Sequence, residues 1–191
     1  MAAAATVRLW KRVDRAERAL CLHINRGCHR VNLRRFFVVV SRLGGGLGWY
    51  ALMASLAVAG GAAGATAALQ MAVGGLTGVV LYRFLKTRLV RERPFVSHAG
   101  ILLGTAPLDR YSFPSGHTLH ATSFTVLAVA HEPMLAGVLL PFAMLVAASR
   151  VVLGLHYPSD VAAGATLGAR AEVDQVEVVG HTVGRRVHAH R

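Results

Sequence analysis

Acidic residues are scarce in this chain: nine Asp and Glu stand against 21 Lys and Arg, for a formal net charge of +12 over 191 residues. Cysteine is scarcer still, at two. A disulfide framework needs more than Cys21 and Cys28 can supply, so both are read as free thiols in or near a membrane helix. Charged side chains of either sign make up only 16% of the residues. No zinc-finger spacing and no helix-turn-helix pattern accompanies the basic residues, so nucleic acid is not the expected partner. A cleavable signal peptide is not expected either. Met1 to Thr6 is apolar but too short, and Arg8, Lys11, Arg12 and Arg15 follow it.

What is present is apolar. The hydrophobic fraction is 54% and the mean hydropathy is +0.47, both high for a soluble domain. Together with the sparse charge they predict a polytopic membrane protein. Many Lys and Arg flank hydrophobic segments, where they answer to anionic head groups and set topology. The lipid bilayer is therefore the expected partner. The length suits one domain.

Three regions follow from composition. Residues 1–35 form a basic amphipathic segment. Leu9, Trp10, Val13, Ala16, Leu20 and Ile24 recur at helical spacing between Arg residues, which predicts a helix lying in the interface with Trp10 at head-group depth. Residues 36–169 are the membrane-embedded domain. Its first apolar stretch is interrupted at Gly44-Gly45-Gly46, where one helix ends and another begins. Spans are expected at about 48–65, opened by a Trp49-Tyr50 aromatic anchor, at 66–82, at 117–131 and at 133–152. A last helix opens at Pro158 with an apolar run, 161–169, too short to span alone. Residues 170–191 form a polar tail, read as truncated or disordered. Its histidines, His181, His188 and His190, are too loosely spaced for a metal site. The expected fold is all-α, a membrane bundle of about five to six helices.

Ionisable groups in membrane segments are costly and mark function, and three clusters of them stand out. Lys86 and Arg93 lie seven residues apart, close to two helical turns, which puts both cations on one helix face; Pro94 ends that helix. Two cations at a membrane helix end suit a phosphate clamp. Arg83, Arg88 and Arg91 are read as topology-setting charge. The second cluster, Pro114-Ser115-Gly116-His117, opens a hydrophobic helix. Free amides at a helix N-terminus bind anions, Ser115 adds a hydroxyl, Gly116 admits close approach and His117 is placed to act as an acid. Taken alone, it is an ordinary helix cap. The third is Ser149-Arg150, then His156 and Asp160. The Tyr157-Pro158 pair puts His156 on a turn, and Asp160 lies in the first turn of the next helix. An Asp–His pair fixes the imidazole tautomer and leaves the other nitrogen nucleophilic; alternatively it staples two helices. Counting spans returns the chain to one side at all three clusters. Three cations, two histidines and an aspartate at one place suit phosphoryl transfer.

Read as Lys86-x6-Arg93-Pro94, Pro114-Ser115-Gly116-His117 and Ser149-Arg150-x5-His156-x3-Asp160, these clusters fill a three-part signature. The sequence resembles the type-2 phosphatidic acid phosphatase superfamily, which also includes soluble vanadium haloperoxidases. The resemblance implies a lipid phosphate or diphosphate phosphatase acting through phosphohistidine. His156 would be the nucleophile, Asp160 its orienting partner and His117 the general acid. Lys86, Arg93, Ser115, Gly116 and Arg150 would hold the phosphate. It further implies no metal or other cofactor, and a membrane lipid substrate of the phosphatidic acid, phosphatidylglycerophosphate or undecaprenyl diphosphate class. The chain would sit in a bacterial inner membrane with a periplasmic site. Positive charge in the N-terminal segment, on the same side as the site by span count, argues for the cytoplasmic face instead. The family's complete last span is only half present after Asp160. Other readings are a lipid-phosphate binder or transporter that holds without cleaving, and a vanadate-dependent peroxidase, against which the hydrophobic spans argue.

Overall fold

The computed structural model describes residues 2–172, with side chains from Asp14 onward. The expectations for Trp10 and for the tail beyond residue 172, its histidines included, fall outside the described residues. Helix α1 covers Ala2–Asn25 and α2 covers Val31–Arg42. A π-helical turn over Leu43–Leu47, with Gly46 at φ 143°, kinks α2 into α3, Gly48–Ala59. Then come α4 (Gly61–Arg88), a single turn α5 (Pro94–Ser97), α6 (Gly116–His131), α7 (Ala136–Val152) and α8 (158–172). No strand occurs among the described residues. The all-α membrane bundle expected from composition is therefore what forms.

Among the described residues three helical lengths are long and apolar enough to cross a membrane: Val31–Ala59, Gly61–Arg88 and Pro133–Val152. Their outward faces carry Val58, Leu69, Leu76, Val80, Val138 and Met144, all exposed, as surfaces bathed in lipid tails can be. The turn between α3 and α4 falls at Gly60–Gly61, with Gly61 at φ 56°, a conformation that glycine adopts without strain. This is five residues before the boundary expected from hydropathy, because nothing polar marks the turn. At the other end α4 runs on to Arg88.

Trp49 is not an interfacial anchor. It lies mid-way along the kinked Val31–Ala59 length, 1% exposed, with Phe124 and Phe142 each at 5.4 Å between ring centroids. Its indole N–H donates to Gly44 O at 3.1 Å, which holds the kink. Around it Met71, Leu127, Leu139 and Val146 complete the core. Helix α8 lies hard against α6: a Cβ on Gly164 would stand 2.5 Å from Ser115 O, and one on Gly168 2.3 Å from Leu119 O. Small residues allow backbones to approach this closely in membrane bundles.

Helix α1 packs by a polar stripe. Glu17, Cys21 and Asn25, four apart, are buried, while Leu20 on the expected apolar face is 45% exposed. The Asn25 amide donates to Leu102 O and Val152 O, both at 2.9 Å, and its carbonyl accepts from Leu102 N–H at 2.7 Å. One residue thereby ties α1 to the 98–115 loop and to the end of α7. Cys21 and Cys28 are buried free thiols, as expected.

Candidate active site

The end of α4, the loop 89–115, the start of α6, the end of α7 and the start of α8 meet at one end of the bundle. Between them a cavity of about 470 Å³ is lined at its polar end by Lys86, Arg93, Asp109, His117, Arg150 and His156. Its apolar end is lined by Trp49, Tyr50, Met53, Met71, Leu76 and Val79 of α3 and α4. The three motif clusters thus do converge.

Arg93 arrives differently from the expected route. Helix α4 stops at Arg88, and Arg93 is extended, φ −77° and ψ 151°, before Pro94. Lys86 and Arg93 therefore do not share a helix face. They meet because both reach Asp109. The Lys86 ammonium donates to both Asp109 carboxylate oxygens at 2.7 Å and to Tyr111 O at 3.0 Å. Arg93 Nη2 donates to Asp109 Oδ1 at 2.7 Å and Nε to Asp109 O at 3.0 Å. Burial raises the Asp109 carboxyl, but Lys86 and Arg93 outweigh it and hold the group below its usual value. An internal carboxylate thus sits on two of the three cations expected to clamp phosphate.

The third cation differs. Arg150 is 3% exposed, donates from Nη1 to Ser41 Oγ, and has no carboxylate partner among the described residues. Its Nε has no hydrogen-bond partner there either.

His156 lies on the turn between α7 and α8, 2% exposed. The turn is fixed by Leu155 and His156 N–H donating to Arg150 O at 3.0 and 3.1 Å. Arg93 Nη1 stands 3.1 Å from His156 Nε2. Guanidinium can only donate, so Nε2 presents a lone pair and the ring proton belongs on Nδ1. Burial, and then Arg150, Arg93 and Lys86, push the imidazole well below its ordinary value, which keeps it neutral. Nδ1 faces Asp160 Oδ2 at 3.7 Å, too long for a hydrogen bond in this state.

Asp160 is fully buried. Its Oδ2 accepts from Tyr157 N–H at 2.8 Å and its Oδ1 from Arg91 Nη1 at 2.7 Å. Gly116 and His117 line the cavity. Ser115 does not. It is fully buried, and its Oγ pairs with Thr118 Oγ1 at 2.9 Å and caps α6 by accepting from Thr118 N–H at 3.4 Å.

Sequence reasoning passed over Asp109, Arg91, Glu17 and Ser41. The scarcity of acids was the available signal: with nine acids for 21 bases, a carboxylate in a cation-rich stretch is under strong pressure to pair. Arg91, read as topology-setting, pairs with both Glu17 and Asp160 at 2.7 Å. No local pattern marks Ser41 as the partner of a residue 109 positions away.

A family model described as the PAP2 superfamily matches residues 59–173. Decaprenylphosphoryl-5-phosphoribose phosphatase of Mycobacterium tuberculosis is 41% identical over 96 residues, 48% of this chain and 51% of its own length. Its Mycolicibacterium smegmatis counterpart is 37% identical over 117 residues, 61% of this chain and 62% of its own. Lipid A 1-phosphatase of Rhizobium johnstonii is 33% identical over 94 residues, 47% of this chain and 38% of its own. The chain spans about half the length of the curated relatives it matches. Among solved structures, Aquifex aeolicus LpxE superposes with a TM-score of 0.74 at 26% identity, over 83% of this chain and 93% of that one. The family match covers α4, α6 and α7 whole, along with all three motif clusters. The chain accordingly belongs to the PAP2 superfamily, the type-2 phosphatidic acid phosphatases.

Proposed function

We propose that this chain is a metal-independent lipid phosphate or diphosphate phosphatase that works through phosphohistidine. The observation that carries the reading is Arg150: a buried guanidinium without a counter-ion among the described residues, facing a cavity that His117, His120 and His156 also line. An uncompensated buried cation costs several kcal/mol, and a phosphate in the cavity would neutralise it. The apolar end of the same cavity suits a lipid tail.

In the first step the His156 Nε2 lone pair attacks phosphorus and the bond from phosphorus to the leaving oxygen breaks. That oxygen takes a proton from His117, which the charge of the bound phosphate dianion keeps protonated, and Asp160 stabilises the positive charge that develops on the His156 ring. In the second step water attacks phosphorus, His117 takes the water proton, and the P–N bond returns its electron pair to Nε2. Inorganic phosphate leaves. Lys86, Arg93 and Arg150, with the Gly116 backbone, hold the phosphoryl oxygens. Ser115 contributes by fixing the start of α6.

The relatives act, by their names, on decaprenylphosphoryl-5-phosphoribose and on lipid A. Of the polyprenyl-linked and glycerolipid phosphates expected from the sequence, the relatives' names support the polyprenyl-linked class here. The chain is proposed to lie in a bacterial inner membrane with its site on the periplasmic face. The positive-inside rule applied to α1 favours the cytoplasmic face. Impermeant thiol labelling of a single cysteine placed at exposed Leu108 in intact cells separates the two: labelling supports the periplasmic face, protection the other.

The activity test is phosphate release from the detergent-solubilised chain given a short-chain lipid phosphate, with and without EDTA. Release should survive EDTA and vanish in His156→Ala. Binding without release would favour the binder reading. Release that persists in His156→Ala ends the nucleophile assignment.

A further inference from the structure

We propose that Glu17, acting through Arg91, is a positioning residue for the His156–Asp160 pair, so that the site depends on a helix outside the family-matched segment. The inference rests on the phosphohistidine reading above. Glu17 lies on the buried stripe of α1, its side chain 11% exposed. Its Oε2 accepts from Arg91 Nη2 at 2.7 Å and its Oε1 from Ser159 N–H at 2.8 Å. Arg91 turns its other nitrogen, Nη1, to Asp160 Oδ1 and Ser159 Oγ, each at 2.7 Å. Its guanidinium also stacks over the Tyr157 ring at 3.9 Å. Glu17, Arg91 and Asp160 thus form a chain of charge leading from α1 to the carboxylate behind the nucleophile.

A surface ion pair that merely anchors α1 would not need this arrangement. One guanidinium is divided between two carboxylates, and Asp160 is the fully buried one. Glu17 also holds a free amide in the first turn of α8, the turn that carries Asp160. With Glu17 in place, Arg91 offsets part of the burial that raises the Asp160 carboxyl without being claimed by it entirely. Asp160 Oδ2 stands 3.7 Å from His156 Nδ1 and must close on it as the ring becomes positive. If Glu17 loses its charge, the whole of Arg91 falls on Asp160. The carboxylate then supports the developing imidazolium less well, and the α8 turn loses a cap. Lys86, Arg93 and Arg150, which meet the phosphate, are untouched.

The effect should therefore appear in kcat and not in KM. Removing an outer partner of a metal-bound histidine costs about 10- to 100-fold, and Glu17, which acts through Arg91 and Asp160, belongs at the low end of that range. Glu17→Gln should lower kcat about tenfold, at a KM changed by less than about twofold. In an Asp160→Asn background, where the carboxylate it supports is gone, the same substitution should cost almost nothing further. Thermal unfolding in detergent reports the folded fraction, to which kcat is normalised. Glu17→Asp, which keeps the charge at shorter reach, should recover part of the loss. If Glu17→Gln does not survive solubilisation, Glu17→Asp stands in for it, with a smaller fall in kcat at an unchanged KM. An unchanged kcat overturns the proposal. So does a loss that multiplies undiminished onto Asp160→Asn, since α1 would then be an anchor only. If the unaltered chain releases no phosphate, or His156→Ala still releases it, the underlying reading fails instead.

Discussion

In the proposed reading Lys86 and Arg93 hold the phosphate, and Asp109 already pairs with both, so replacing it by asparagine should tighten anion binding. Three side-chain contacts of 2.7 Å hold the carboxylate there. Hydrogen bonds to charged groups contribute about 1.5–3 kcal/mol each when shielded. The Asp109 side chain is 37% exposed, so solvent screening cuts the total to about 1–2 kcal/mol. A phosphate that must displace the carboxylate binds more weakly by that amount, a factor of about 5 to 30. Asp109→Asn removes the competitor and leaves Lys86 with no ionised acid partner among the described residues, and both changes favour an incoming anion. Inhibition of phosphate release by inorganic phosphate or vanadate should therefore strengthen by about tenfold. The KM for a short-chain lipid phosphate should fall with it, and the melting temperature in detergent should drop, because a buried cation has lost its counter-ion. The assay is the inhibition constant measured side by side in the two proteins. An unchanged or weaker inhibition would refute the reasoning, and would mean that Asp109 shapes the clamp and does not compete for it.

Arg150→Ala should lower kcat by about 10²–10³-fold, the loss typical of one donor to a developing oxyanion, and its melting temperature should hold or rise because an unpaired buried charge is gone; phosphate release and thermal unfolding together check both. Gly168→Ala drives a methyl into Leu119 O, 2.3 Å away, and should destabilise the chain by about 1–3 kcal/mol, seen as a lower unfolding midpoint in detergent. The Asp109 carboxyl is held below its ordinary 3.8 in the folded state. Its stabilising effect is therefore fully present above that value and disappears as pH falls through the lower folded one. The gap in unfolding temperature between the unaltered chain and Asp109→Asn should stay constant down to the ordinary carboxyl range and close only below it.

The sequence alone determined the family and the class of fold. Hydropathy and sparse charge dictate a helical membrane bundle, because only closed backbone hydrogen bonding survives in lipid. The residues His117, Arg150, His156 and Asp160 are legible because ionisable groups beside apolar segments need a reason to be there. Helix ends were less legible. Nothing polar marks the α3–α4 turn at Gly60–Gly61. The break at Gly44-Gly45-Gly46 is where expected, but it is a kink inside the Val31–Ala59 length, so Trp49 just after it lies in the core and not at the head groups.

Tertiary structure decided the partners. Asp109 on Lys86 and Arg93, Glu17 on Arg91, and Ser41 on Arg150 join positions 16 to 109 residues apart. Spacing rules act over one or two helical turns and cannot see that far. Which scarce carboxylate reaches which cation is settled by how α1 and the 98–115 loop fold over the bundle end. The cost of leaving a buried charge unpaired enforces those choices, and that cost exists only once the chain has packed.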